Sequence, residues 1–143
     1  MRTRIPSNAI WIAIALFLLW GKRKARGSGN VPPNEHKIPK HLSLTQLREL
    51  AAAADMAQPE VAAAVAMAES GGRVDAVGDH GDSIGLWQIH VPSAPKQWAN
   101  RDMLKHAGFN AQAAAAMSNG GTDFSAWTTF RNGAYLRFLP KGR

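Results

Sequence analysis

The sequence of 143 residues contains no cysteine, which excludes a disulfide-stabilised scaffold, a thiol nucleophile and a cysteine-ligated zinc site. Acidic residues are almost absent from residues 1–40, which hold eight Lys or Arg and a single Glu. Residues 41–143 hold nine basic and nine acidic residues and so carry no net charge. The formal charge of +7 therefore belongs to the first forty residues and does not indicate a nucleic-acid-binding domain in the larger part of the chain.

Residues 5–21 form an uncharged stretch with an unbroken apolar run from Ala9 to Trp20. As a helix the stretch would be about 25 Å long, at the short end of what the hydrocarbon core of a bilayer requires. Basic residues flank it, and residues 22–24 follow it directly where a signal peptide would have a small-residue cleavage site. We therefore predict a single transmembrane anchor over residues 1–25 and a membrane location. A cleaved signal peptide and a soluble amphipathic segment are the alternatives, and the flanking charges do not specify the orientation.

Residues 26–40 are predicted to be a tether, because they are rich in glycine and proline and offer almost nothing to bury. The anchor would contact membrane lipids through residues 5–21. The basic residues 22–26 would contact anionic lipid head groups or DNA, or would simply form a solvated basic collar.

Helical periodicity begins at Ser43, and residues 41–143 are predicted to fold as one small domain. Ser43 and Gln46 form a capping-box pattern ahead of an apolar stripe made by Leu44, Leu47, Leu50, Ala51 and Ala54. Pro59 suits the first turn of a second helix, which stops at Gly71-Gly72.

The rest of the domain alternates between polar loops and short apolar segments. Residues 75–83 are rich in turn formers, and residues 84–89 are apolar enough for a strand or a buried turn. Residues 97–106 are predicted to be helical. Asn110 is predicted to cap a helix that ends at Met117, and residues 124–138 supply one or two helices broken near Asn132-Gly133. The predicted fold is mainly α, with a short strand or loop region beside the helices.

Glu69 is the residue best placed for chemistry. With 100° of rotation per residue, it lies roughly 80° from Val61, at the edge of the apolar stripe of its helix. It also falls in the last turn, at the negative end of the helix dipole. Burial and the dipole both favour the protonated carboxyl, so Glu69 could act as a general acid near neutral pH. The alternative is an ordinary surface glutamate.

The segment Gly85-Leu86-Trp87-Gln88-Ile89 combines an accessible glycine backbone, an aromatic ring and an amide side chain. Aromatic faces stack on sugar rings, and amides bind hydroxyl and N-acetyl groups. Together with Glu69, the segment therefore suits a carbohydrate site. The remaining domain tryptophans, Trp98 and Trp127, are predicted to belong to the core.

Glu69-Ser70, the segment 85–89 and Asn110 before an alanine-rich helix resemble, in order and spacing, the soluble lytic transglycosylase domain of the lysozyme-like superfamily. The resemblance covers residues 44–138 and implies an α+β lysozyme-like fold. Residues 78–89 and 126–135 look like variants common in phage proteins.

The resemblance implies cleavage of the MurNAc–GlcNAc β-1,4 bond of peptidoglycan, with Glu69 acting first as acid and then as base. Ser70 and Gln88 match motif positions that line the sugar subsites, and the Leu86-Trp87 pair shapes the groove. Gly85, with its unhindered backbone, is also predicted to contact the substrate. The family's tyrosine near the acid has no clear counterpart. Phe130 matches its motif but lacks the hydroxyl, and Tyr135 is the alternative from a shifted position.

Several alternatives remain open at this point. A hydrolytic lysozyme would need a second carboxylate, for which Asp75, Asp79 and Asp82 are candidates, although aspartates beside glycines are ordinary turn residues. No metal and no cofactor is expected, because segment 79–82 lacks the length and the terminal glutamate of a calcium loop. The biological setting could be a virion that opens the wall as its genome enters the cell, an envelope complex, or an inactive structural or DNA-contacting membrane protein.

Overall fold

The computed structural model describes residues 39–141 of the chain. The predicted anchor lies outside the described residues, and so does the predicted tether except for its last two positions. Within residues 39–141, no helix has the length and apolar character that a membrane span requires.

The first helix, α1, spans Leu44–Ala53 and begins as its sequence predicts. The Ser43 hydroxyl accepts the Gln46 backbone N–H at 3.2 Å, and the Gln46 side chain accepts the Ser43 N–H at 2.9 Å. This reciprocal pair satisfies two backbone donors that the helix itself leaves free. Leu47 and Ala51 then become fully buried, which confirms the predicted apolar face.

The second helix, α2, spans Pro59–Ser70 and forms the centre of the domain. Five consecutive residues, 62–66, are buried, so neighbouring elements cover every side of its middle. Four of the five are alanines, whose small side chains let these elements approach closely. The helix ends at Gly71, which adopts the left-handed conformation with φ +63°, as the double glycine predicts.

A small antiparallel sheet follows, built from β1 (Val77–Gly78), β2 (Ser83–Ile84) and β3 (Ile89–His90) in that spatial order. Ile84 pairs with Val77 on one side and with Ile89 on the other. Segment 84–89 was predicted as a strand or a buried turn, and it contains both, because residues 85–88 form the turn between β2 and β3.

The predicted helix over residues 97–106 is wrong. The structure has two short 3₁₀ segments there, Lys96–Trp98 and Met103–Lys105. The Asn100 side chain accepts the N–H groups of Asp102 and Met103 at 3.1 and 3.0 Å, a turn that interrupts helical bonding.

Helix α3 spans Ala107–Met117 and ends where predicted, but Asn110 does not cap it. The N-cap position is His106, and Asn110 lies one turn inside the helix. Helix α4, Thr128–Arg131, and a 3₁₀ segment, Ala134–Phe138, complete the described residues, with the predicted break between them.

The core lies between α1, α2, α3 and the sheet. Its largest fully buried side chains are Leu47, Val65, Leu86, Trp87, Ile89, Leu104, Asn110, Ser118 and Phe124. Trp127 is buried as predicted, whereas Trp98 is half-buried and packs on Phe109 with ring centroids 5.2 Å apart. The prediction of a small, mostly helical domain with a short strand region is confirmed.

Candidate active site

Glu69 lies in the last turn of α2 and is half-buried, at the place where the helix leaves the core. The next residue, Ser70, closes the helix. Its hydroxyl donates to the Ala66 carbonyl at 3.0 Å and accepts the Gly72 N–H at 3.2 Å. The structure therefore gives Ser70 a capping role, and its predicted contact with a sugar stays a prediction.

Thr129, in the first turn of α4, is the hydrogen-bond partner of Glu69. Its hydroxyl donates to Oε1 of Glu69 at 2.6 Å, across sixty residues of sequence. Sequence reasoning missed this residue, because nothing local marks a threonine as the partner of a distant carboxylate. The one available signal was its position directly before Phe130, where the family resemblance places a hydroxyl group.

The surroundings of Glu69 raise its pKa above the ordinary value of a glutamate. The largest cause is burial, which penalises the charged form, and the negative charge of Asp79 acts in the same direction. Hydrogen bonds from the Thr129 hydroxyl and backbone lower the pKa and offset part of this effect. The carboxyl therefore keeps its proton to higher pH than a surface glutamate, as a general acid requires.

Asp79 lies in the connection between β1 and β2. Its carboxylate accepts a short hydrogen bond from the Ser83 hydroxyl. Asp79 and His80 both have positive φ, +49° and +55°, an uncommon conformation that the surrounding hairpin enforces. The hairpin therefore brings a second carboxylate close enough for its charge to act on Glu69.

The other two candidate carboxylates do not act on Glu69 in this way. Asp82 forms an ion pair with Arg101 at 2.9 Å, and neither Asp82 nor Asp75 is among the groups that shift the pKa of Glu69. Of the three aspartates considered from the sequence, Asp79 is the one that the structure associates with the acid.

The turn after β2 depends on Gly85, which has φ +80° and is buried. A Cβ at this position would overlap the Asn110 amide and the Leu104 carbonyl. The Gly85 N–H donates to the Ala76 carbonyl at 2.7 Å, which ties the turn to the residue directly before β1. Glycine is thus required here for its conformation and for the close approach of its neighbours.

Asn110 holds the same turn from the side of α3, and it is fully buried. Its Oδ1 accepts the Trp87 N–H, and its Nδ2 donates to the carbonyls of Ile84 and Leu104, all at 2.9 Å. The amide therefore satisfies three backbone groups that would otherwise be buried without partners. This bracing role replaces the predicted helix cap.

Leu86 and Trp87 lie inside the core and are fully buried, so the tryptophan ring presents no exposed face on which a sugar could stack, and the expectation that the pair shapes the substrate groove stays a prediction. The Trp87 indole N–H donates to the Ala62 carbonyl of α2 at 3.0 Å. The Trp127 indole N–H donates in turn to the Trp87 carbonyl at 2.7 Å. The two tryptophans connect α2, the turn and the start of α4, which are the elements around Glu69.

Gln88 is half-buried, with φ +45°. Its side-chain nitrogen donates to the carbonyls of Gly85 at 2.9 Å and Ala76 at 3.3 Å, and its Oε1 lies against Gly78, where a Cβ would overlap it. The side chain thus holds the hairpin together. Its predicted contact with a sugar stays a prediction.

Phe130 and Tyr135 stack on each other with ring centroids 4.7 Å apart, and Phe130 also contacts Phe124. Both rings are half-buried beside α4. Among the described residues the hydroxyl bonded to Glu69 comes from Thr129, so neither aromatic residue supplies it.

A cavity of about 500 Å³ lies at the other end of α2, away from Glu69. It is lined by Leu44, Thr45, Arg48, Glu60, Ala63, Arg137, Phe138, Leu139 and Pro140, and none of the predicted site residues is among them. We place the candidate active site at Glu69 because the carboxyl with the altered pKa and its partners lie there, and cavity size alone identifies no chemistry.

The comparisons with known proteins give one match. A family model described as a lysozyme-like domain matches residues 48–129, more than half of the chain. The matched segment contains Glu69, the three-stranded sheet, Asn110 and Thr129. Searches of curated proteins and of solved structures gave no match.

Proposed function

This chain belongs to the lysozyme-like domain family, and from that membership we propose that it is a lytic transglycosylase of peptidoglycan with Glu69 as its single acid and base. The family membership supports a glycosidase that acts on peptidoglycan. The observation that carries the finer proposal is the half-buried Glu69 carboxyl, whose raised pKa suits it to donate a proton.

In the proposed reaction, protonated Glu69 donates its proton to the oxygen between MurNAc and GlcNAc. The bond from C1 of MurNAc to that oxygen breaks, and GlcNAc leaves with a free hydroxyl. The Glu69 carboxylate then takes the proton of the C6 hydroxyl of the same MurNAc, whose oxygen bonds to C1. The products are a 1,6-anhydro ring and a reprotonated Glu69, and no water is consumed.

A hydrolytic lysozyme is the second candidate, and Asp79 is the observation that favours it. Hydrolysing glycosidases place two carboxyl groups around the scissile bond. Asp79 is held by Ser83 and acts electrostatically on Glu69, as a second carboxylate of this kind would.

Mass spectrometry of the digestion products separates these two reactions. The whole chain is incubated with purified peptidoglycan in mild detergent, and the soluble muropeptides are analysed. Anhydro-muramic ends support the transglycosylase, whereas reducing muramic ends contradict it and support hydrolysis. Absence of any release at neutral pH, with the fold intact by circular dichroism, would contradict both enzymatic candidates and favour an inactive structural protein.

We further propose that residues 5–21 attach the enzyme to a membrane and that residues 22–26 contact anionic lipid head groups. The apolar run and its basic flanks support this attachment. The setting that we propose is a phage virion that opens the wall as its genome enters the cell, with an envelope complex as the alternative. Flotation with anionic vesicles tests the attachment: the whole chain should float and a variant lacking residues 1–25 should not. Binding to DNA with a steep salt dependence would instead favour the DNA-contacting alternative.

A further inference from the structure

The hydrogen bond between Thr129 and Glu69 has a chemical consequence for the proposed reaction. A threonine hydroxyl has one hydrogen, and here that hydrogen is donated to Oε1 of Glu69. When Glu69 is protonated, the carbonyl oxygen of its carboxyl is a better acceptor than the hydroxyl oxygen, so a donor on Oε1 favours the proton on Oε2.

We propose that Thr129 is a positioning residue that keeps the transferable proton on Oε2 of Glu69 and holds the carboxyl in place while its charge changes twice in each turnover. This inference rests on the proposed function. Thr129 would supply the hydroxyl that the family resemblance expects from a tyrosine, at a position next to Phe130.

A closed set of contacts fixes Thr129 relative to the acid. The Trp87 indole bonds to Ala62 of α2, and the Trp127 indole bonds to the Trp87 carbonyl. The Trp127 carbonyl then accepts the N–H groups of Phe130 and Arg131, both at 3.2 Å, which forms the first turn of α4. Since Ala62 and Glu69 belong to the same helix, these hydrogen bonds fix the position of Thr129 relative to the helix that carries the acid.

In this hydrogen bond Thr129 donates and Glu69 accepts, which suits a carboxyl that acts first as an acid and then as a base. A donor to Oε1 stabilises the carboxylate more than the neutral carboxyl, so it opposes the effects of burial and of Asp79. Burial without such a donor would favour the neutral carboxyl more strongly. The carboxylate that forms after the first proton transfer would then be less stable. Thr129 therefore limits how firmly Glu69 keeps its proton.

The test uses three variants of the whole chain. Thr129→Val keeps the shape and removes the hydroxyl, and Thr129→Ser keeps the hydroxyl. Thr128→Val is the matched control, because Thr128 is the exposed neighbour whose hydroxyl accepts from Arg131 instead of contacting Glu69. Carboxyl ¹³C NMR of Glu69 is recorded across pH for each protein, and kcat and KM for muropeptide release are measured separately.

We expect Thr129→Val to titrate Glu69 at higher pH than the wild type and to lower kcat by about tenfold, with KM little changed, because a misaligned proton donor affects the transition state. Thr129→Ser should restore both properties, and Thr128→Val should match the wild type. An unchanged Glu69 titration in Thr129→Val would overturn the proposal even if the wild type proved inactive. Inactivity of the wild type with the expected titration shift would instead count against the proposed function alone.

Discussion

The two glutamates of α2 share one helix and differ in almost everything around them. Glu60 lies in the first turn, is exposed and lines the 500 Å³ cavity with Arg48 and Arg137. Its charge is stabilised by the positive end of the helix dipole. Glu69 lies in the last turn, half-buried at the negative end of the helix dipole, with Asp79 nearby and Thr129 as its hydrogen-bond partner. The comparison shows that the environment of a carboxyl, more than its presence in a helix, prepares it for acid catalysis.

The largest expected effect is on activity. Glu69→Gln removes the transferable proton and should lower the rate of muropeptide release by about a thousandfold, within the usual contribution of a general acid. Glu60→Gln, the matched change at the other end of the helix, should leave the rate within about twofold. Release is followed by high-performance liquid chromatography of the soluble products. Equal losses in the two variants would mean that Glu69 has no special role.

Gly85, in the turn between β2 and β3, should tolerate substitution far less than a glycine with open space around it. Gly85→Ala forces a side chain into left-handed backbone and into the Asn110 amide, and it should destabilise the domain by about 3 kcal/mol. Gly108→Ala is the matched control in α3, where a Cβ has open space, and it should stabilise by about 0.5 kcal/mol. Urea denaturation monitored by tryptophan fluorescence measures both changes. A Gly85→Ala variant as stable as the wild type would refute the close packing of this turn.

The elements around the two glutamates could be predicted from sequence where their signals are local. The capping box at Ser43, Pro59 in the first turn of α2 and the left-handed glycine at its end all act within a few residues. These local signals predict the start of both helices and place Glu69 at the end of the second one without any tertiary contact.

The features of the site that could not be predicted from sequence depend on contacts between residues far apart in the chain. Thr129 meets Glu69 across sixty residues, and Asn110 meets Trp87 across twenty-three. Trp87 has the aromatic face that a sugar could stack on, but it is buried in the core, where its indole N–H donates to the Ala62 carbonyl of α2. A residue's type therefore predicted its importance here better than it predicted its contacts.

A smaller effect is expected on the pH profile when Asp79 is neutralised. The charge of Asp79 raises the pKa of Glu69, so Asp79→Asn should lower that pKa. The basic limb of kcat/KM reports loss of the protonated acid in the free enzyme and should move to lower pH. Asparagine tolerates the positive φ of this position, and Asp82→Asn is the control because Asp82 pairs with Arg101. Near-complete loss of activity in Asp79→Asn would indicate the two-carboxylate hydrolase instead.

The smallest effect expected is on the pH dependence of stability, which the half-buried Glu69 should alter. Because folding raises the pKa of Glu69, the native state binds more protons than the unfolded state once pH exceeds the ordinary glutamate value. The stability that this group contributes therefore falls as pH rises from that value to the raised pKa, and Glu69→Gln does not suffer the loss. Thermal unfolding of Glu69→Gln and of the wild type is compared at pH 4 and pH 8, and the variant should gain stability relative to the wild type as pH rises. Glu60→Gln is the matched change in the exposed first turn of the same helix. An equal gain in Glu60→Gln would mean that the half-buried environment of Glu69 is not the cause, and the contrast between the two ends of α2 would then fail.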